Sequence, residues 1–108
     1  MTLAQFKKFF KREHQRMVEY WGNKENQKQR TLFRTIKLSE EVGEVCEEIL
    51  GFTAQQRKKK IRKFNKEKLA EEIADVIVVA ILLAENLDIN IWKAIEKKIK
   101  KVERRGKP

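Results

Sequence analysis

The chain has 108 residues, and its 26 Lys and Arg against 16 Asp and Glu give it a formal net charge of +10. Four Gly and a single Pro, the terminal Pro108, exclude a turn-rich β protein, and one Cys excludes an intramolecular disulfide or a multi-cysteine zinc site within one chain. Apolar residues at 41% and charged residues at 39% fit a single domain over 1–108 whose modest core lies under an ionic surface.

Abundant Lys, Glu, Leu and Ile favour helix by intrinsic propensity. Thr2 is placed to cap a first helix carrying Leu3, Phe6, Phe9, Phe10, Met17 and Val18, with Gly22-Asn23 ending it. A second helix is expected from about Gln29 to Leu50, stopped by Gly51. Its apolar residues Leu38, Val42, Val45, Cys46 and Ile49 fall on one arc, with Cys46 read as a small buried hydrophobe. Residues 52–64 form a basic connector with room for a short helix of its own. Asn65 then caps a third helix to about Asn86, whose second half, Val76 to Ala84, is apolar all round and so expects burial on every side. Asp88 falls where this helix breaks. Asn90 caps a last helix with the stripe Ile91, Ile95, Ile99 and Val102. The fold class is all-α, a four- to five-helix bundle.

Burying Val76 to Ala84 on all sides exceeds what so short a chain can supply, which predicts an oligomer, a homodimer or homotetramer. The alternative is that Phe6, Phe9 and Phe10 of the first helix cover the run within one chain. The same run is well short of the ~20 residues a membrane helix needs, and no apolar stretch of signal-peptide length follows the N-terminal charges. A soluble, cytoplasmic protein with no membrane partner is expected.

Two helices each carry acids one turn apart: Glu41 and Glu44 on the second, Glu72 and Asp75 on the third. At i and i+3 each pair shares a helix face. Projected at 100° per residue, Glu72 and Asp75 lie over Val79, Leu82 and Leu83 and so point inward. Glu41, Glu44 and Glu48 border the apolar arc of their own helix. Two such charges ~5 Å apart at an effective dielectric near 20 repel by about 3 kcal/mol. The acids must therefore be protonated, paired with Lys or Arg, or bound to a cation. Hard oxygen donors without neighbouring His or Cys favour Mg²⁺, with Mn²⁺ as the substitute, over zinc. Spacing alone leaves open a second account, in which the pairs are solvated, salt-bridged faces.

The stretch Lys37-Leu38-Ser39-Glu40-Glu41-Val42-Gly43-Glu44-Val45 resembles the first signature of the MazG-like all-α nucleoside triphosphate pyrophosphatases. Leu69-Ala70-Glu71-Glu72-Ile73-Ala74-Asp75-Val76 resembles the second. The family's pattern is E-x-x-E, a variable gap, then E-x-x-D; a Lys and an Arg follow on the last helix, matched here by Lys98 and Arg105, with Lys101 beside them. Val102 stands where an Asn is often found. The resemblance implies that Glu41, Glu44, Glu72 and Asp75 hold magnesium and that Lys98, Arg105 and Lys101 meet the substrate phosphates. Water would attack the α-phosphate of an NTP or dNTP to release NMP or dNMP and pyrophosphate, with a cluster carboxylate, Glu40 or Glu48 taking the proton. It also suggests base or sugar contacts at His14, Gln15 and Trp21. A related activity is phosphoribosyl-ATP pyrophosphatase.

Gly43, in mid-helix, is read as allowing a close helix crossing in preference to leaving room for a ligand, and Trp92 as packing. The connector's Arg57, Lys58, Lys59, Lys60, Arg62, Lys63, Lys66 and Lys68 keep a rival reading open, a basic helical nucleic-acid-binding module. Steep loss of affinity with salt would mark the binder; Mg²⁺-dependent release of pyrophosphate would mark the enzyme.

Overall fold

Four helices make up the described residues of the computed structural model, 1–21, 27–53 and 63–106: α1 Leu3–Trp21, α2 Gln27–Phe52, α3 Lys66–Asn86 and α4 Ile91–Arg105. Their ends follow the side chains that cap them. Thr2 and Gln5 form a reciprocal capping box: the Gln5 N–H donates to Thr2 Oγ1 (3.1 Å) and the Thr2 N–H to Gln5 Oε1 (2.7 Å). Asn65 and Asn90 accept from the N–H groups of Lys68 (3.0 Å) and Lys93 (3.1 Å). Gly51 does not stop α2, which runs through it to Phe52. Gly22-Asn23 and the connector's Arg57, Lys58, Lys59, Lys60 and Arg62 lie outside the described residues.

The break between α3 and α4 is a Schellman closure. The Ile89 N–H reaches back to the Ala84 carbonyl (2.9 Å) and the Asp88 N–H to that of Glu85 (3.1 Å). Asp88 takes the left-handed conformation this requires, at φ 56°; an acid or amide side chain tolerates that region better than most. Gly106 ends α4 in the same region at φ 69°.

Among the described residues, α3 is the one helix whose backbone meets all the others: α1, α2 and α4 each approach it and not one another. Ile81 and Ala84 of α3 are buried, and with Phe10 of α1 they are the buried apolar side chains among the described residues. Phe10 meets the Phe9 ring edge-on and also the ring of Trp92, which packs as expected. The expected all-round burial of Val76 to Ala84 does not occur within one chain. Ile77 remains 53% exposed, and Phe6 and Phe9 keep 44% and 41% of their surface in solvent, so α1 covers only part of the run.

The face that α2 buries is not its apolar arc. Arg34, Glu41, Glu48 and Gly51 are buried, whereas of the arc Leu38 and Val45 are half-buried and Val42, Cys46 and Ile49 exposed; Cys46 is thus no core hydrophobe. The first three recur at sevens, two turns apart, so they form one inward stripe. Next to this stripe the start of α2 is fastened to the end of α3 through Asn86, 4% exposed. Its amide donates to Thr31 Oγ1 (2.8 Å) and accepts from Arg30 Nε (3.1 Å), while its carbonyl accepts from Gln27 Nε2 (2.9 Å).

The radius of gyration is 17.3 Å, against about 13 Å for a compact domain of this length. The accessible surface is 9015 Å², against roughly 6,300 Å² for a compact monomer of this mass.

Because the buried Asn86 amide bonds the half-buried Thr31 and Arg30 at once, Asn86→Ala is expected to cost about 1–2 kcal/mol. Chemical denaturation followed by circular dichroism measures it; a loss below ~0.5 kcal/mol would mean that water replaces the network freely.

Candidate active site

Of the four acids of the two E-x-x-[ED] pairs, Glu41, Glu44 and Glu72 lie near enough at the α2–α3 seam for the charges of the first and last to act on Glu44, in unequal settings. Glu41 is 7% exposed and accepts a salt bridge from Lys37 one turn earlier (3.2 Å), which also reaches Glu40 (3.4 Å). Glu44 is exposed, but its carboxyl is held above the ordinary range, first by the charge of Glu41 and then by desolvation, Glu72 and Glu40. Glu72 is half-buried, and its Oε2 is enclosed without a hydrogen-bond partner. Asp75 is exposed, which corrects the expectation that both acids of α3 point into the interior of the chain. Glu72, Val79, Leu82 and Leu83 are all half-buried, so that side of α3 is covered in part, away from Asp75.

Glu44, Glu47, Glu48, Lys68 and Glu72 line a cleft of about 170 Å³. Glu48 is buried there and bridged across the seam by Lys68 (3.3 Å). Lys68 and the burial of Glu48 are features that the paired motifs do not disclose. The seven-residue spacing of Arg34, Glu41 and Glu48 was the available signal. Among the described residues no three His, Cys, Asp or Glu side chains converge as they would around one ion. The donor set nonetheless suits a hard divalent cation: it is all carboxylate oxygen, one oxygen is enclosed and unbonded, and one carboxyl clings to its proton because its neighbours are charged.

Gly43 lies between Glu41 and Glu44, and a Cβ added there would meet nothing within 4 Å. A close helix crossing within the chain is therefore not its purpose. Lys98, Lys101 and Arg105 are exposed on α4, whose backbone approaches α3 and no other described helix. Within one chain they are not brought to the acids of α2.

His14 and Gln15 sit on α1; Gln15 is exposed and hydrogen-bonded to Glu19, and the Trp21 side chain lies outside the described part of the chain. His14 is half-buried against Arg34, whose Nη2 lies 3.4 Å from its Nδ1 and 3.3 Å from Met17 Sδ. Arg34 is 3% exposed, and its enclosed Nη1 has no partner. Burial, seconded by the charge of Arg30, pushes the Arg34 guanidinium below its usual range. Burial, and then the charges of Arg34 and Arg30, likewise hold His14 below the usual 6.5, with Glu85 opposing in part.

With its folded value depressed, His14 leaves stability undiminished above about pH 6.5. As pH falls below that, the unfolded chain takes up the proton first, and stability drops until the folded value is passed. The melting temperature is expected to fall between pH 7 and 5, and His14→Gln to flatten that part of the profile. An unchanged slope in the variant would place the effect elsewhere.

No curated protein and no solved structure matches the chain. The model of the MazG-like family matches residues 35–107, a span that takes in both acid pairs, the cleft between them and all of α4, and leaves His14, Gln15, Trp21 and Arg34 outside it. With well over half of the sequence matched, and with helices throughout its described residues, the chain belongs to the MazG-like family.

Proposed function

We propose that the chain is a Mg²⁺-dependent nucleoside triphosphate pyrophosphohydrolase, converting NTP or dNTP and water to NMP or dNMP and pyrophosphate in the upkeep of the nucleotide pool. The observation that carries this reading is the seam between α2 and α3. There Glu41 and Glu72 act together to raise Glu44, and Glu72 keeps an enclosed oxygen without a partner. Such a cluster favours the arrival of positive charge.

Glu41, Glu44, Glu72 and Asp75 would hold Mg²⁺, or Mn²⁺ in its place. The cation supplies neutralisation of the triphosphate and a bound water of lowered pKa. The chain's own groups do the rest. A carboxylate of the cluster takes the proton as water adds to the α-phosphorus, and the bond to the α,β-bridging oxygen breaks. Cationic side chains stabilise the charge passing to pyrophosphate. Glu41→Gln or Glu72→Gln is expected to abolish Mg²⁺-dependent release of pyrophosphate while leaving the helical circular dichroism intact. The assay should run across the common NTPs and dNTPs, and full turnover in both variants would sink the assignment.

A homodimer or homotetramer belongs to the same reading. A cleft of about 170 Å³ is smaller than the ~300 Å³ or more of sites that enclose nucleotide-sized ligands, so further walls are needed. Exposed apolar residues are available to build them: Ile73 and Ile77 on α3, and Ile95, Ile99 and Val102 on α4. The excess surface of one chain exceeds the roughly 800 Å² per partner of a standard interface. A second copy would also bring Lys98, Lys101 and Arg105 within reach of the acids. Light scattering coupled to size exclusion is expected to give at least twice the 12.9 kDa chain mass. A single species at the chain mass at micromolar concentration rules the oligomer out.

A further inference from the structure

Lys68 stands where the paired acids would least suggest a cation. Its backbone N–H is fixed by Asn65 at the first turn of α3, and Glu72 follows one turn later on the same face. Its ammonium bridges Glu48 of α2 at 3.3 Å, and among the described residues it is the one basic group lining the cleft it shares with Glu44, Glu47, Glu48 and Glu72. The Glu48 side chain is 9% exposed and held in place; that of Lys68 is 56% exposed and able to turn. Lys37, the other cation beside these acids, is occupied on its own helix by Glu40 and Glu41 and does not line the cleft.

We propose that Lys68 is a substrate-binding residue of the acid cleft, one that bridges Glu48 while no nucleotide is bound and turns its ammonium onto the polyphosphate when one arrives. This rests on the hydrolase reading above. A positive charge among four carboxylates has two opposite effects, and both follow from Coulomb's law. It repels a divalent cation entering the same cleft, and it attracts the polyanion that follows. Lys68 therefore weakens the hold on metal alone and strengthens the hold on metal and nucleotide together, so that the cation is bound firmly only when substrate accompanies it.

The test compares wild type with Lys68→Met and Lys68→Arg. Lys68→Arg keeps a cation for the buried Glu48, and Lys68→Met alters a side chain that is largely in solvent; helical circular dichroism of both variants checks that each folds. Mn²⁺ binding to the nucleotide-free protein, read by electron paramagnetic resonance, is expected to tighten roughly tenfold in Lys68→Met. The KM for the best nucleotide at saturating Mg²⁺ should rise by a similar factor in the same variant, and Lys68→Arg should restore it. The opposed signs are the signature: a merely structural bridge, once lost, would loosen the seam and weaken both. Mn²⁺ affinity that is unchanged or weaker, or an unchanged KM, overturns the role of Lys68 while wild-type turnover leaves the hydrolase reading standing. Wild-type protein that cleaves no nucleotide overturns that reading itself.

Discussion

The seam between α2 and α3 is built on buried charge, and the rest of the molecule is arranged around that constraint. Arg34, Glu41 and Glu48 are the residues that α2 turns inward, where an unpaired charge is costly. Each is answered differently. Glu41 is met by Lys37 of its own helix and Glu48 by Lys68 across the seam. Arg34 is only half answered, by an imidazole nitrogen and a thioether sulfur. Asn86 closes the same seam at one end with neutral hydrogen bonds. Because polar groups occupy the inward face, the apolar side chains that would ordinarily take it are left at the surface.

That displacement explains where the sequence was legible. Capping chemistry is local, and Thr2, Asn65 and Asn90 mark their helix ends as expected, because a side chain two or three residues away satisfies the orphan N–H whatever the tertiary fold. The acid pairs were equally plain, since their spacing alone puts each on one helix face. The orientation of α2 was not. A hydrophobic arc predicts the inward face only when the helix packs against an apolar partner, and here the facing surface of α3 carries Lys68 and Glu72. Val42, Cys46 and Ile49 therefore lie outward, and no described element covers Asp75. Gly43 misled for the same reason: its missing side chain faces open space, so it records nothing about packing within the chain.

An α3 that meets every other described helix, with only Phe10, Ile81 and Ala84 buried as apolar side chains among the described residues, describes a scaffold whose backbone contacts radiate from one rod. Such an arrangement positions the acids through two helices and a few caps. It leaves α4 anchored near its start, with its apolar stripe and its Lys and Arg presented together on one projecting helix. The Schellman turn at Asp88 sets the direction in which that helix leaves.

The spacing of Arg34, Glu41 and Glu48 has a consequence for how α2 can change over evolutionary time. Residues seven apart on a straight helix drift by about 20° per repeat, so the three span only about 40° and stay on one face. The stripe is then a ruler in phase with the helix. Inserting or deleting one residue between Arg34 and Glu48 would swing everything beyond it by ~100°, carrying Glu48 away from Lys68. Length variation in this protein should be confined to the segments between helices, while the fifteen positions from 34 to 48 accept substitution but not a change of count.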